Sequence, residues 1–203
     1  MRYDENHKAE TRKKVVRAAA AAVRARGPDG VSVADIMGEV GLTHGGFYAH
    51  FRSKDALLAE AVREAFSQSR KRMPLFDDGL SDEEALSAFV DRYVSATHRD
   101  HPESGCAIAA LSSDVPRQGA VVRQAFDAGV KGLIGSIARR LASAPAEDRE
   151  GLAGSLLAEM SGAVSLARAM SDPAVSDELL AQSRRRIKAR MGLPQDLIDR
   201  TTA

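Results

Sequence analysis

Apolar residues recur along this chain at intervals of three and four, and no stretch alternates apolar with polar positions as a half-buried strand does. The pattern predicts an all-α fold of about nine helices with short connections. The first helix spans about residues 7–26, with Val15, Val16, Ala19, Ala22 and Val23 on one face, and stops at Gly27-Pro28-Asp29-Gly30. Ser32 is an N-cap with Asp35 three residues on, heading a short helix over 33–40 that Gly41 closes. Thr43 is placed to cap a second short helix over 44–51. Ser53 caps a longer one to about residue 71, whose buried side is Leu57, Leu58, Ala61, Val62 and Ala65.

Met73-Pro74 and Asp77-Asp78-Gly79 then interrupt the periodicity, which places a domain boundary there and predicts domains 1–72 and 73–203. Ser81 and Glu84 make a capping box for a helix over 81–98, and His101-Pro102 breaks it. A weaker helical stretch covers 106–111. Pro116 opens a helix reaching about residue 142, Pro145 one reaching about 170, and Asp172-Pro173 the last, to about 191.

Composition sharpens this reading in three ways. Hydrophobic residues are 44% and charged residues 28%, ordinary for a soluble globular protein, while aromatics are 4% and Trp is absent, which favours helices over a β-sandwich. No run of eighteen apolar residues exists and the charged N-terminus is no secretory signal, so the chain is expected in the cytoplasm, away from membranes. One cysteine, Cys106, excludes an internal disulfide framework. The net charge of +1 hides an asymmetry: residues 1–72 hold 14 Lys/Arg against 9 Asp/Glu, a net +5, and the remainder holds 15 against 19, a net −4. A basic first third fits a polyanionic partner, although any division of a near-neutral chain can yield such a difference.

The most specific signal lies between Val31 and Leu57. Two short helices about a glycine-containing turn form the helix-turn-helix pattern, in which the second helix enters the major groove. Gly45-Gly46 costs a helix roughly 1 kcal/mol per residue relative to alanine. A purely structural helix gains nothing for that, whereas one pressing its backbone on a duplex does. Tyr48-Ala49-His50-Phe51 followed by Arg52-Ser53-Lys54 resembles the DNA-binding motif of the TetR/AcrR family, with Val33, Ile36 and Gly41 in matching register. Met37 and Val40 stand where that family more often has alanine.

The resemblance implies an N-terminal helix-turn-helix DNA-binding domain and a C-terminal helical domain for ligand binding and dimerisation. It implies that Thr43, His44 and Gly45 face base edges or nearby phosphates, that Tyr48 and His50 clamp phosphates, and that Lys54 and Ser32 contact the backbone at helix starts. Arg12, Lys13 and Lys14 are further candidates for backbone contacts. It implies a homodimer on a palindromic double-stranded operator, released by a small-molecule effector, acting as a repressor without cofactor, metal or catalysis. Phe66, Phe89, Tyr93, Cys106, Ile108 and Phe126 are candidates for lining the effector pocket, and each reads equally as plain core.

Two ambiguities stay open. Gly151, Gly154, Ala158, Ser161, Gly162, Ser165 and Ala169 beside Leu152, Leu157, Met160 and Val164, with the stripe Val175, Leu179, Leu180, Ile187 and Met191, suit either a dimer bundle or the protomer's own core. Cys106, near His98, Arg99 and His101, is either a thiol sensor of oxidants and electrophiles or a small buried hydrophobe. An enzyme with Cys106 as nucleophile lacks a phosphate loop or metal cluster, and a zinc site there lacks a fourth ligand. A helical interaction module without DNA binding is the remaining alternative.

Overall fold

The computed structural model describes residues 2–195, and every regular element among them is helical. The α-helices are α1 (Arg2–Arg26), α2 (Val33–Glu39), α3 (Lys54–Arg72), α4 (Asp82–Tyr93), α5 (Ala96–Asp100), α6 (Ala107–Leu111), α7 (Ala120–Arg140), α8 (Arg149–Ala169) and α9 (Pro173–Met191). Shorter 3₁₀ turns cover His44–Ala49, Pro74–Phe76, Pro102–Ser104 and Val115–Arg117.

Apart from α1, which begins at Arg2 rather than near residue 7, these differ from the periodicity in four places, each with a local cause. The segment after Thr43 winds as a 3₁₀ turn rather than an α-helix, closed by Gly46 N–H on Thr43 O and His50 N–H on Phe47 O. Two glycines in six residues leave little α-propensity to hold an α-helix. The helix expected over 81–98 breaks into α4 and α5, because Ser95 turns its hydroxyl onto the backbone, donating to Arg92 O and accepting from His98 N–H. Pro116 opens a 3₁₀ turn instead of α7, which begins at Ala120. Pro145 likewise precedes a turn, and α8 starts at Arg149, whose guanidinium donates back to Ala142 O and Ala144 O.

The described residues form two compact units. The first holds the chain up to Ser69 together with Pro102–Gly129, and the second holds Arg70–His101 and the chain from Val130 onward. In the first unit the alanine-rich face of α1 (Val15, Ala19, Ala20, Val23) meets Ile36 and Met37 of α2, Phe47, Phe51, and Leu57, Leu58 and Val62 of α3. Leu111, Val115 and Val122, from the chain's second visit, complete this core. Each fully buried Ile, Leu or Phe contributes about 1.5–3 kcal/mol, so the small helices are held by this burial and not by their own propensity.

In the second unit Leu86, Phe89, Val90 and Tyr93 of α4, Leu133 and Ile137 of α7, Leu156, Met160 and Val164 of α8, and Leu180 and Ile187 of α9 are buried. Arg140 gathers the loop ahead of α4, donating to the carbonyls of Leu75, Asp77 and Leu80 and to the Asp82 carboxylate. Lys188 of α9 is buried against Asp91 of α4, Nζ to Oδ2 2.6 Å.

Candidate nucleic-acid interface

The geometry of the first unit's most distinctive surface begins at Ser32. Its hydroxyl accepts the Asp35 N–H at 3.1 Å while the Asp35 carboxylate accepts the Ser32 N–H at 3.1 Å, a complete capping box at the head of α2. Those hydrogen bonds hold the Asp35 carboxyl below its usual range. At the other end Gly41 takes φ +74°, with its N–H on Gly38 O and the Leu42 N–H on Met37 O, a Schellman closure that turns the chain sharply. That turn delivers Thr43 to the start of the 3₁₀ segment.

Within His44–Ala49 the side chains divide cleanly. Phe47 is buried and stacks on Phe51, ring centroids 5.5 Å apart, which anchors the segment to the core. Tyr48 stands outward at 70% exposure, held edge-on by Phe47 at 5.2 Å and by His44 at 6.4 Å. Thr43, His44 and Gly45 are exposed, and Gly46 is half-buried. Thr43 makes no side-chain capping hydrogen bond, contrary to the expected cap, so its hydroxyl is not committed to the helix start. Neither Gly45 nor Gly46 has a positive φ, and a Cβ added at Gly45 would meet nothing within 4 Å. The fold itself gives no reason for glycine at position 45.

The flanking residues complete the surface. His50 is half-buried, its Nδ1 sequestered without a hydrogen-bond partner, and desolvation together with the cations of Lys8 and Arg12 holds its pKa below the usual imidazole value. Ser53 accepts the Ala56 N–H at 3.1 Å and caps α3, which puts Lys54 in the first turn of that helix. Of the three cations expected from α1, Lys14 is exposed and Lys13 pairs with Glu10 at 2.8 Å. Arg12 turns onto Glu60 and His50 O instead of outward. Thus Ser32, Thr43, His44, Gly45, Tyr48, His50 and Lys54 all belong to one unit, on consecutive elements, and all but His50 and Lys54 are exposed. Sequence reasoning missed Glu60, because nothing local marks a carboxylate on α3 as the partner of an arginine 48 residues earlier.

The candidates for an effector pocket fall in both units. In the first, Phe66 meets Phe126 edge-on at 5.8 Å and packs against Gly129, where an added Cβ would collide with its ring. Ile108 and Cys106 are buried there as well, Cys106 as the N-cap residue of α6. In the second, Phe89 meets Tyr93 at 5.6 Å, and the buried Tyr93 hydroxyl shares a hydrogen bond with Ser161 Oγ at 2.8 Å. Ser161 of the small-residue stripe therefore faces its own protomer's interior. His98 lies edge-on to Tyr93 at 4.7 Å with Nδ1 2.7 Å from Tyr93 O.

Burial is the largest cause that depresses His98, to about 4. The sign follows directly: unfolding lets the imidazole take up a proton, so the unfolded state binds more protons between the two pKa values. Stability is full above about pH 6.5 and falls with pH through the interval down to about 4. At pH 5 the loss is of order 2 kcal/mol. Urea denaturation at pH 7.5 and pH 5 should show it, and His98→Gln should remove most of the difference; an equal difference in the variant would refute the assignment to His98.

Among the described residues no helix is long and apolar enough to cross a membrane, and no group of three His, Cys, Asp or Glu side chains is placed to hold a metal ion. Comparison with known proteins agrees with the geometry. Residues 15–61 match the family model of bacterial regulatory proteins of the tetR family, and residues 83–183 match the tetracyclin repressor-like C-terminal domain. An uncharacterized HTH-type transcriptional regulator of Bacillus subtilis (strain 168), YdgC, is 35% identical over 77 residues, which are 37% of this chain and 40% of that protein. The match thus spans about two-fifths of that curated relative's length. A TetR transcriptional regulator from Chloroflexus aurantiacus superposes with a TM-score of 0.77 at 26% identity, over 92% of this chain and 96% of that one. The reduced form of Escherichia coli NemR superposes with a TM-score of 0.75 at 21% identity, over 89% and 96%. The chain belongs to the tetR family of bacterial transcriptional regulators.

Proposed function

We propose that this regulator is a homodimeric repressor that grips a palindromic operator through the His44–Ala49 segment and lets go when a small-molecule effector binds. The observation that carries the DNA contact is Gly45, open to solvent beside the outstanding Tyr48 ring, with no intramolecular demand for a missing side chain. A segment whose backbone must approach a duplex closely has such a demand. His44 and Thr43 supply polar groups for base edges and phosphates. Ser32, Tyr48, His50 and Lys54 supply donors to the sugar-phosphate backbone on either side.

Dimerisation is supported by apolar side chains that the second unit leaves uncovered. Leu166 of α8 is 61% exposed and Val175 of α9 is 52% exposed, with Met170 between them and the small Ala158 and Ala169 on the exposed side of α8. A two-fold pair would bring two recognition segments to successive turns of one groove face, about 34–36 Å apart. An effector releases DNA by binding better to the dimer whose segments are wrongly spaced, and it shifts the population by no more than that difference in affinity. Phe66, Cys106, Ile108 and Phe126 in the first unit, and Phe89 and Tyr93 in the second, are the residues to vary for that effect.

The test begins with duplexes selected from random DNA by the purified protein. Affinity should fall steeply with salt as counterions are released, and Lys54→Ala should weaken binding to all sequences alike while flattening the logarithmic salt dependence by roughly one phosphate contact. Binding that ignores salt, or no retained duplex at all, would refute the proposal.

A further inference from the structure

We infer that Arg12 is a positioning residue for DNA recognition: it fixes the C-terminal end of the recognition segment between α1 and α3 and does not itself contact a phosphate. The inference rests on the DNA-binding reading above. Three contacts define the arrangement. Nε donates to the carbonyl of His50, the residue that closes the recognition segment, at 3.3 Å. Nη1 and Nη2 donate to the two carboxylate oxygens of Glu60 on α3. The guanidinium carbon lies 4.7 Å above the centroid of Phe51.

Such a hold is needed because the segment is weak by itself. It is six residues long, winds as a 3₁₀ turn, contains two glycines, and buries one large side chain, Phe47. Segments of this kind fray unless their end carbonyls are tied. Only arginine offers a fork for the carboxylate, a further N–H for the carbonyl and a flat face for the ring at once; a lysine ammonium matches none of that geometry. Further along the same two helices Arg17 lies 3.8 Å from Glu64 and Arg24 donates to Gln68 at 2.7 Å, so α1 and α3 are joined at two more levels. With its charge matched by Glu60, Arg12 adds little net field for a phosphate. Its effect passes through where Tyr48 and His50 are held.

Glu60→Gln separates the two roles for Arg12. If Glu60 only restrained a phosphate-binding arginine, removing its charge would free Arg12 and tighten operator binding. If the pair positions the segment, the same change loosens it. With the full-length protein and a selected operator duplex, Arg12→Ala and Glu60→Gln should each weaken binding by about 10–100-fold, the scale of a charge-assisted bidentate pair. The salt slope should stay at the wild-type value in both, and Arg12→Lys should fail to restore affinity. Amide exchange at His50 and Phe51, measured without DNA, should be faster in Arg12→Ala than in wild type.

Tighter binding in Glu60→Gln, or a salt slope reduced by about one in Arg12→Ala, would overturn the inference. Wild-type protein that binds no duplex would overturn the DNA-binding reading instead, and the exchange rates would still decide whether Arg12 clamps the segment. Unchanged exchange in Arg12→Ala would show that it does not.

Discussion

Gly45→Asp should abolish operator binding, by at least about 100-fold, while leaving the protein as stable as wild type to within roughly 1 kcal/mol. The fold has no stake in the change. Position 45 has no positive φ, and its Cβ direction is empty to 4 Å. The duplex has a large stake, because a carboxylate would stand where a surface bearing about one negative charge per 1.7 Å must approach. Like charges brought together in a closing interface cost several kcal/mol. Gly45→Ala isolates the steric part: binding should weaken by about tenfold, and stability should hold or rise by up to about 1 kcal/mol, since alanine is the better helix former. Fluorescence anisotropy with a selected operator, alongside thermal unfolding followed by helix dichroism, reads both quantities. If Gly45→Asp binds as wild type does, the His44–Ala49 segment is not the face that meets DNA.

The features that were legible in the sequence are those written within four or five consecutive residues. Ser32 with Asp35, Ser81 with Glu84, Ser53, and Asp172 ahead of Pro173 each satisfy backbone groups of the helix they head, so the residues themselves announce the boundary. Gly41 announced the turn for the same reason, being the residue type that takes φ +74° without strain. Ser95 was illegible because a serine inside an amphipathic pattern reads as a tolerated surface residue until its hydroxyl is seen bonding Arg92 O and the His98 N–H. Pro116 opens a turn rather than a helix, because the backbone completes one 3₁₀ turn and becomes extended at Gln118. Pro145 precedes a single turn, closed by the Asp148 N–H on Pro145 O, that leads into α8.

Long-range partnerships were invisible throughout. Nothing local assigns Leu111, Val115 and Val122 to the core around α1 and α3; only the fold shows that they complete it. A basic helix ahead of a DNA-binding motif points Arg12 at phosphate, whereas the fold turns it onto Glu60 within the first unit. In the stripe on α8, one periodicity serves two surfaces: Leu157, Met160 and Val164 fill the protomer, and Ala158 and Ala169 are left outside.

The second large effect is expected at a residue remote from DNA. Asp91→Ala should destabilise the second unit by about 3–5 kcal/mol, because it strands a buried ammonium. Lys188 is enclosed on α9; its Nζ lies 2.6 Å from Asp91 Oδ2 and also donates to the neutral carbonyl of Gln195 at 3.2 Å. Arg184, 3.6 Å from the other carboxylate oxygen, would face the same vacancy. Removing the cation instead is milder: in Lys188→Met, Asp91 keeps Arg184, and the butyl stem is replaced by a side chain of similar bulk. Converting both residues, Asp91→Leu with Lys188→Met, should cost less than Asp91→Ala alone, since no uncompensated charge is left inside. In thermal unfolding the single change should lower the midpoint by roughly 6–20 °C, taking about 2–4 °C per kcal/mol for a chain of this length. Because α9 also carries the exposed Val175, its loosening should raise the dimer dissociation constant in sedimentation and weaken operator binding in step, with recognition residues untouched. A variant Asp91→Ala that unfolds within 1 kcal/mol of wild type would mean that Lys188 reaches water, and that α4 and α9 are held together by their apolar faces alone.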